Sequence, residues 1–290
     1  MVLDYFRPIN FLSEQEPFLV DGRAIGIDVN TIFLTGRRCP IGCNMCDLHR
    51  FTRDDSPPDG AITNQIDYAL GLLSNSQWIK LYNSGNFFDT RSIPVGEYTA
   101  IAERCVGLER VIVENHPKIG RSRHREFAEM IDAKLEVAVG LETVHPRLLA
   151  AIGKQMTRGD FDQYAKWLGD NGIDLRVFLI VGAPGMSPDE SVRWAMLSTR
   201  HAVRQGARHI SLIPARRGAG WGNATGSVPV FSVTDLCEIF NNALNVSNHA
   251  TVSIDLWEIA QQELHLEDRN RLRCLEEAIL KQEAVMHEAV

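Results

Sequence analysis

The chain has 290 residues, 44% of them hydrophobic and 23% charged, and a net charge of −7. That length can bury one full core, or a core with a small appendage. No apolar run approaches the roughly 18 residues that span a bilayer. The acidic balance also argues against a protein that grips a long nucleic-acid backbone. Residues 1–18 contain Asp4, Glu14 and Glu16 and lack a basic stretch followed by an apolar one, so no leader is expected and the cytoplasm is the expected compartment. Arginines cluster at 37–38, 121–125 and 216–217, and each cluster reads as a solvated or anion-facing spot. A small or acidic substrate is therefore favoured over tRNA.

In chain order, short β-branched runs alternate with amphipathic stretches from about residue 30. A strand is expected at 31–35 (TIFLT), running straight into a cysteine-rich loop. Helix 62–73 follows, with Ile66, Ala69, Leu70 and Leu73 at helical spacing, then strand 78–82 (WIKLY) and helix 96–105. Strand 110–114 (RVIVE), helix 123–131 and strand 135–141 (LEVAVGL) come next. Thr157 and Asp160 have the spacing of a capping box, and Gly172 supplies a stop after Asn171. Strand 174–181 (DLRVFLIV), a helix from Ser187 towards Arg204, and strand 209–213 (HISLI) complete six βα units between 31 and 250. Parallel βα units with right-handed crossovers follow. Eight would close a TIM barrel, whereas six predict an α/β fold of the partial (β/α)6 TIM type with a short C-terminal helical extension. Residues 1–30 are expected as an N-terminal extension, 31–250 as the barrel, and 251–290 as a strand (251–256) and helix (264–285) packing on it. Leu272, Leu275 and Ile279 should share one face of that helix. The glycine-rich stretch 217–227 reads either as a cover over the barrel mouth or as a plain connector.

Six cysteines stand at 39, 43, 46, 105, 237 and 274. Cys105, Cys237 and Cys274 are spread over expected helices and read as buried fillers. The other three form Cys39-Pro40-Ile41-Gly42-Cys43-Asn44-Met45-Cys46, a C-x3-C-x2-C motif directly after a strand. Three thiolates from one loop suit a four-iron cluster, one on each of three irons, with the fourth iron open. The alternative is a zinc ion with His49 as its fourth ligand.

With that motif in that place, the sequence resembles the radical S-adenosylmethionine (SAM) superfamily over residues 30–215. The family usually carries an aromatic residue just before its last cysteine, and this chain has Met45 there. The resemblance implies a [4Fe–4S] cluster on Cys39, Cys43 and Cys46, with SAM chelated at the open iron. It implies that the turn with Ser84, Gly85 and Asn86 meets the SAM amino group and that Glu142 and Thr143 contact the ribose. Arg176 or Lys154 would take the carboxylate, unless these are barrel-surface cations. The stretch 177–184 (VFLIVGAP) would support adenine and Ile213 would contact it.

The run 81–89 (LYNSGNFFD), with 113–117 (VENHP) and 140–143 (GLET), is similar to the branch holding the elongator catalytic subunit, the methylthiotransferases and the radical subunit of archaeosine synthase. No separate RNA-binding domain is expected after the barrel. Glu114 and His116 at the end of the third βα strand are candidate catalytic residues; a buried structural acid is the other reading of Glu114. Trp221, Asn223, His116 and Arg216 are candidate substrate contacts.

The activity implied is reductive SAM cleavage to a 5′-deoxyadenosyl radical that modifies a small or acidic substrate. A flavodoxin- or ferredoxin-type reductant would serve it, and no membrane. Alternatives are 3-amino-3-carboxypropyl transfer from SAM, a tRNA-modifying subunit, and a non-catalytic Fe–S or zinc protein.

Overall fold

Two strands precede the cysteine loop in the computed structural model, which describes residues 3–216, 220–221 and 226–286. β1 (Asn10–Val20) and β2 (Arg23–Phe33) are joined by Asp21 and Gly22, with φ of 50° and 76°. Positive φ at both turn residues gives the hairpin turn whose twist matches the strands it joins, and Asp-Gly is a preferred pair for it. The expected N-terminal extension is thus largely a hairpin. The strand expected at 31–35 starts earlier and ends at Phe33.

A 3-10 turn at Leu48–Phe51 follows, then α1 (Ala61–Leu70), β3 (Trp78–Tyr82), α2 (Glu97–Arg104), β4 (Arg110–Glu114), α3 (Arg121–Met130) and β5 (Lys134–Glu142). The second half of the chain supplies α4 (Pro146–Ile152), α5 (Arg158–Asp170), β6 (Asp174–Val181), α6 (Pro188–Arg204) and β7 (Ala207–Pro214). It ends with α7 (Val233–Ser247), β8 (Thr251–Ile254), α8 (Trp257–Ala260) and α9 (Leu266–Lys281). The strands follow one another through one sheet in chain order, β1 to β8. This is an α/β fold of the partial TIM-barrel type. β2 to β7 are the strands of the six expected units, β1 comes before them, and β8 is the further strand expected near 251.

The chain divides into two compact units, Met1–Glu16 with Ile27–Val139 and Gly153–Leu175, and Pro17–Gly26 with Gly140–Ile152 and Arg176–Val290. In the first, β2, β3, β4 and β5 pair in parallel, with Phe33 level with Tyr82 and Glu114 with Ala138. Their C-terminal ends therefore lie along one edge, where barrels of this type place chemistry. α5 opens with the capping box expected at Thr157 and Asp160.

Side chains alternate across a strand, so Ile79 and Leu81 face one way along β3 and Lys80 the other. Lys80 is buried with its ammonium 2.9 Å from Glu14 and 2.7 Å from Glu16. Arg110 on β4 lies 2.9 Å from Glu136 and 2.6 Å from Asp174. Such pairs add little net stability, but removing one partner costs about 3–5 kcal/mol by leaving the other charge buried alone.

In the second unit, β7 pairs in parallel with β8 from His209–Thr251 to Leu212–Ile254. α6 starts at Ser187 as expected, with Pro188 in its first turn and Asp189 and Glu190 beside its positive end. α9 packs on α7 and β8 with Leu272, Leu275 and Ala278 buried and the expected Ile279 half-buried beside them. Cys105 and Cys237 are buried as expected. Cys274 is not: it falls between Leu272 and Leu275 on the outer side of α9 and is exposed. Among the described residues no helix is long and apolar enough to cross a membrane.

Candidate metal centre

The cysteine loop leaves β2 through a tightly packed neck. A Cβ on Gly36 would lie 2.4 Å from Ser92 Oγ, so a larger residue would displace the hydroxyl that accepts the Arg37 N–H. The two ends of the loop are laced together: Arg38 N–H donates to Arg53 O (2.7 Å) and Arg53 N–H to Gly36 O (3.0 Å). Within the loop, Cys46 N–H donates to Cys43 O at 3.1 Å. From outside, Gln155 Nε2 donates to Ile41 O at 3.0 Å, and Gly153, at φ 68°, packs against the amide of Asn44. The 153–155 turn was not anticipated from the sequence. Its only signal there is the Ile-Gly that ends a helix.

After β3 the chain turns at Asn83-Ser84-Gly85-Asn86, with Ser84 at φ 52°. Glu114 anchors this turn: Oε1 accepts the N–H groups of Asn83 (2.8 Å) and Gly85 (3.1 Å). Burial pushes the Glu114 carboxyl above its ordinary range, while the amides of Gly85, Asn83 and Ser84 and the charge of Lys154 oppose that shift. Asn86, itself buried, joins two pieces of the rim. Its Nδ2 donates to Cys39 Sγ at 3.0 Å and its Oδ1 accepts the His116 N–H at 2.7 Å. Gly85 lies against Cys39, so turn and cysteine loop touch with no side chain between them.

His116 is a neutral strut. Its Nδ1 accepts the Lys118 N–H (3.2 Å), which leaves the proton on Nε2 to be donated to Lys154 O (2.9 Å). Burial first, then the charge of Lys154, lowers its pKa to about 4. Below it, Phe87, Phe88, Tyr98 and Phe127 form an aromatic cluster. His124 stacks on Phe88 and hydrogen-bonds to Tyr164.

These contacts suit an iron–sulfur cluster. Such clusters are held by cysteine thiolates whose sulfurs accept hydrogen bonds from neighbouring donors, and Cys39 has such a donor in Asn86. Burial raises the Cys46 pKa, a backbone hydrogen bond from Leu48 opposes that, and the charge of Cys39 raises it further against that of Lys154. Among the described residues no three His, Cys, Asp or Glu side chains are arranged to hold a single metal ion. A four-iron cluster asks for something different, because each thiolate takes a separate iron. His49, the candidate fourth zinc ligand, turns its Nδ1 to Cys46 O at 3.2 Å.

The chain has the fold of the radical SAM enzymes. SuiB of Streptococcus suis, in its structure bound to S-adenosylmethionine, matches with a TM-score of 0.55 at 10% identity, over 81% of this chain and 52% of that one. Methylornithine synthase (PylB) matches with a TM-score of 0.55 at 10% identity, over 89% of this chain and 82% of that one. The FeFe-hydrogenase maturase HydG from Carboxydothermus hydrogenoformans gives 0.58 at 13% identity, over 84% and 56%. The chain spans about half the length of SuiB. No protein-family model matches the sequence, and no curated protein does.

The structure therefore brings Cys39, Cys46, Ser84, Gly85, Asn86, Glu114 and His116 together on one rim of the first unit, with Cys43 in the same loop. Glu142, Thr143, Arg176 and Ile213 belong to the second unit. Glu142 ends β5 buried, with φ at 66°. Thr143 follows with its N–H on Leu141 O (2.8 Å) and its Oγ1 accepting the His145 N–H (3.0 Å). Arg176 is buried on β6, and Ile213 is half-buried near the end of β7. Trp221 is half-buried. Asn223, and with it most of the glycine-rich stretch 217–227, lies outside the described residues.

Proposed function

We propose that the chain is a radical SAM enzyme that holds a [4Fe–4S] cluster on Cys39, Cys43 and Cys46 and cleaves SAM reductively. The observation that carries this reading is the C-x3-C-x2-C loop at the C-terminal end of β2, with the Asn86 amide donating to the Cys39 sulfur. When bound and reduced, the cluster would supply one electron to the SAM sulfonium, breaking a carbon–sulfur bond to give methionine and a 5′-deoxyadenosyl radical that would take hydrogen from substrate.

The residues have distinct tasks in this reading. Asn86 holds the Cys39 sulfur in place by donating a hydrogen bond to it. Ser84 and Gly85 offer backbone carbonyls to the SAM amino group, held in place because Glu114 binds the amides of the same turn. Glu114 and His116, candidates for catalysis by sequence, are assigned positioning roles here, since their polar atoms engage the turn and Lys154. Glu142 and Thr143 take the ribose hydroxyls, Arg176 or Lys154 the carboxylate, and Ile213 the adenine. The strained backbone at Glu142 supports a functional placement, since residues in sparsely populated conformations collect at such sites. The substrate is small or acidic, and the electron comes from a flavodoxin- or ferredoxin-type protein.

The test is anaerobic reconstitution followed by dithionite and SAM. The expected product is 5′-deoxyadenosine, falling to background in Cys39→Ala. Methylthioadenosine in its place would assign the enzyme to 3-amino-3-carboxypropyl chemistry. A protein that carries four irons and cleaves no SAM would falsify the proposal.

A further inference from the structure

β7 and β8 end side by side, and a cavity of about 360 Å³ opens where they finish, among Pro214, Asp255 and the segments that follow. The volume is that of a small-molecule pocket, and the edge is the one on which parallel barrels carry ligands. Val230, Phe231 and Ile259 give it an apolar wall. That wall is seated on the end of β6: Gly182, at φ 91°, lies so close to Pro229 that a Cβ would come within 3.2 Å of it.

The cavity also holds one oriented cation. Arg216 Nη2 donates to Asp255 Oδ2 at 3.0 Å, and its guanidinium lies 5.0 Å from the centre of the Trp257 ring. Asp255 cannot follow a moving partner, because its Oδ1 accepts the Trp257 N–H (2.9 Å) and its own N–H donates to Leu212 O (2.8 Å). Clamped on one edge and stacked on one face, the guanidinium keeps the rest of its fork for something else. Among the described residues Asp255 is its only hydrogen-bond partner. Glu258 lines the same cavity and makes no hydrogen bond or ion pair among them. A pre-oriented guanidinium matches a carboxylate in geometry as well as charge. A nearby free carboxylate matches an ammonium group.

We propose that this cavity binds a small zwitterion, an α-amino acid with an apolar side chain. Arg216 takes its carboxylate, Glu258 its ammonium group, and Val230, Phe231 and Ile259 its side chain. That this ligand is the substrate rests on the radical SAM reading above; that it binds does not.

The experiment is saturation-transfer NMR with L-leucine, N-acetyl-L-leucine and L-leucinamide on the full chain with its cluster reconstituted and no SAM added. L-leucine is expected to bind, and each derivative, lacking one charge, to bind about tenfold or more weakly. Arg216→Lys and the surface change Glu258→Gln should each weaken L-leucine by a similar factor, with circular dichroism unchanged. The proposal is overturned if no L-leucine signal appears, if either derivative binds as well as L-leucine, or if either variant binds like the parent. Loss of L-leucine binding alongside normal SAM cleavage removes only the pocket assignment. Normal binding without SAM cleavage removes only the enzyme reading.

Discussion

Glu114 ends β4 and Glu142 ends β5, and the two are held in opposite ways. Glu114 spends its carboxylate on the backbone, accepting the N–H groups of Asn83 and Gly85, so that it fixes the shape of a turn. Glu142 is buried with its own backbone in the left-handed region, at φ 66°, where a non-glycine residue is strained. In sequence both are a glutamate closing an apolar strand. In structure one glutamate relieves its neighbours while the other carries a strain of its own, of the kind that collects at functional positions.

The largest test of that contrast is Glu114→Ala. It strips the acceptor from two or three buried amides at once, so stability should fall by about 3–5 kcal/mol in urea unfolding, and SAM cleavage with it. Glu114→Gln, which keeps one acceptor oxygen, should recover part of both. If Glu114→Ala unfolds like the parent, the glutamate is not the anchor of the turn.

Acid should loosen the same unit by a comparable amount at its limit. Burial holds His116 and His124 at about 4, against 6.5 for an ordinary histidine. The unfolded chain therefore takes up protons first as pH falls. Stability is complete above about 6.5 and declines towards pH 4, by at most on the order of 3 kcal/mol per histidine. His124→Phe should flatten the slope of unfolding free energy against pH over that window. An unchanged slope would rule out His124 as a source of it.

The smallest effect on stability, and the sharpest on function, belongs to Glu142→Gly. Glycine adopts φ 66° without strain, which offsets the lost side-chain contacts, so the net change should stay within about 1 kcal/mol. SAM affinity, read by equilibrium binding to the reconstituted protein, should nonetheless drop about tenfold. Unaltered affinity would leave the strain at Glu142 without a functional reason.

Much of the architecture was legible before any coordinates. Strand 174–181, the capping box at Thr157 and the start of α6 at Ser187 fall where periodicity and capping chemistry place them, because each is a local effect of a few adjacent residues. β1 and the start of β2 were missed: Asp21-Gly22 is a turn signal, but Ser13, Glu14, Gln15 and Glu16 break the apolar run by which the other strands were recognised. Cys274 shows the limit of spacing arguments, since a shift of one or two positions around a helix separates buried from exposed.

The sequence by itself determined the alternation of strands and helices and the cysteine triplet at a strand end, since both depend on neighbours a few residues apart. Only the tertiary structure decided that Asn86 donates to Cys39, that Gln155 holds Ile41 and that Asp255 clamps Arg216. These partners lie 47, 114 and 39 residues apart in the chain. No local pattern encodes such pairs; the packing of parallel strands along a shared edge brings them within hydrogen-bonding distance.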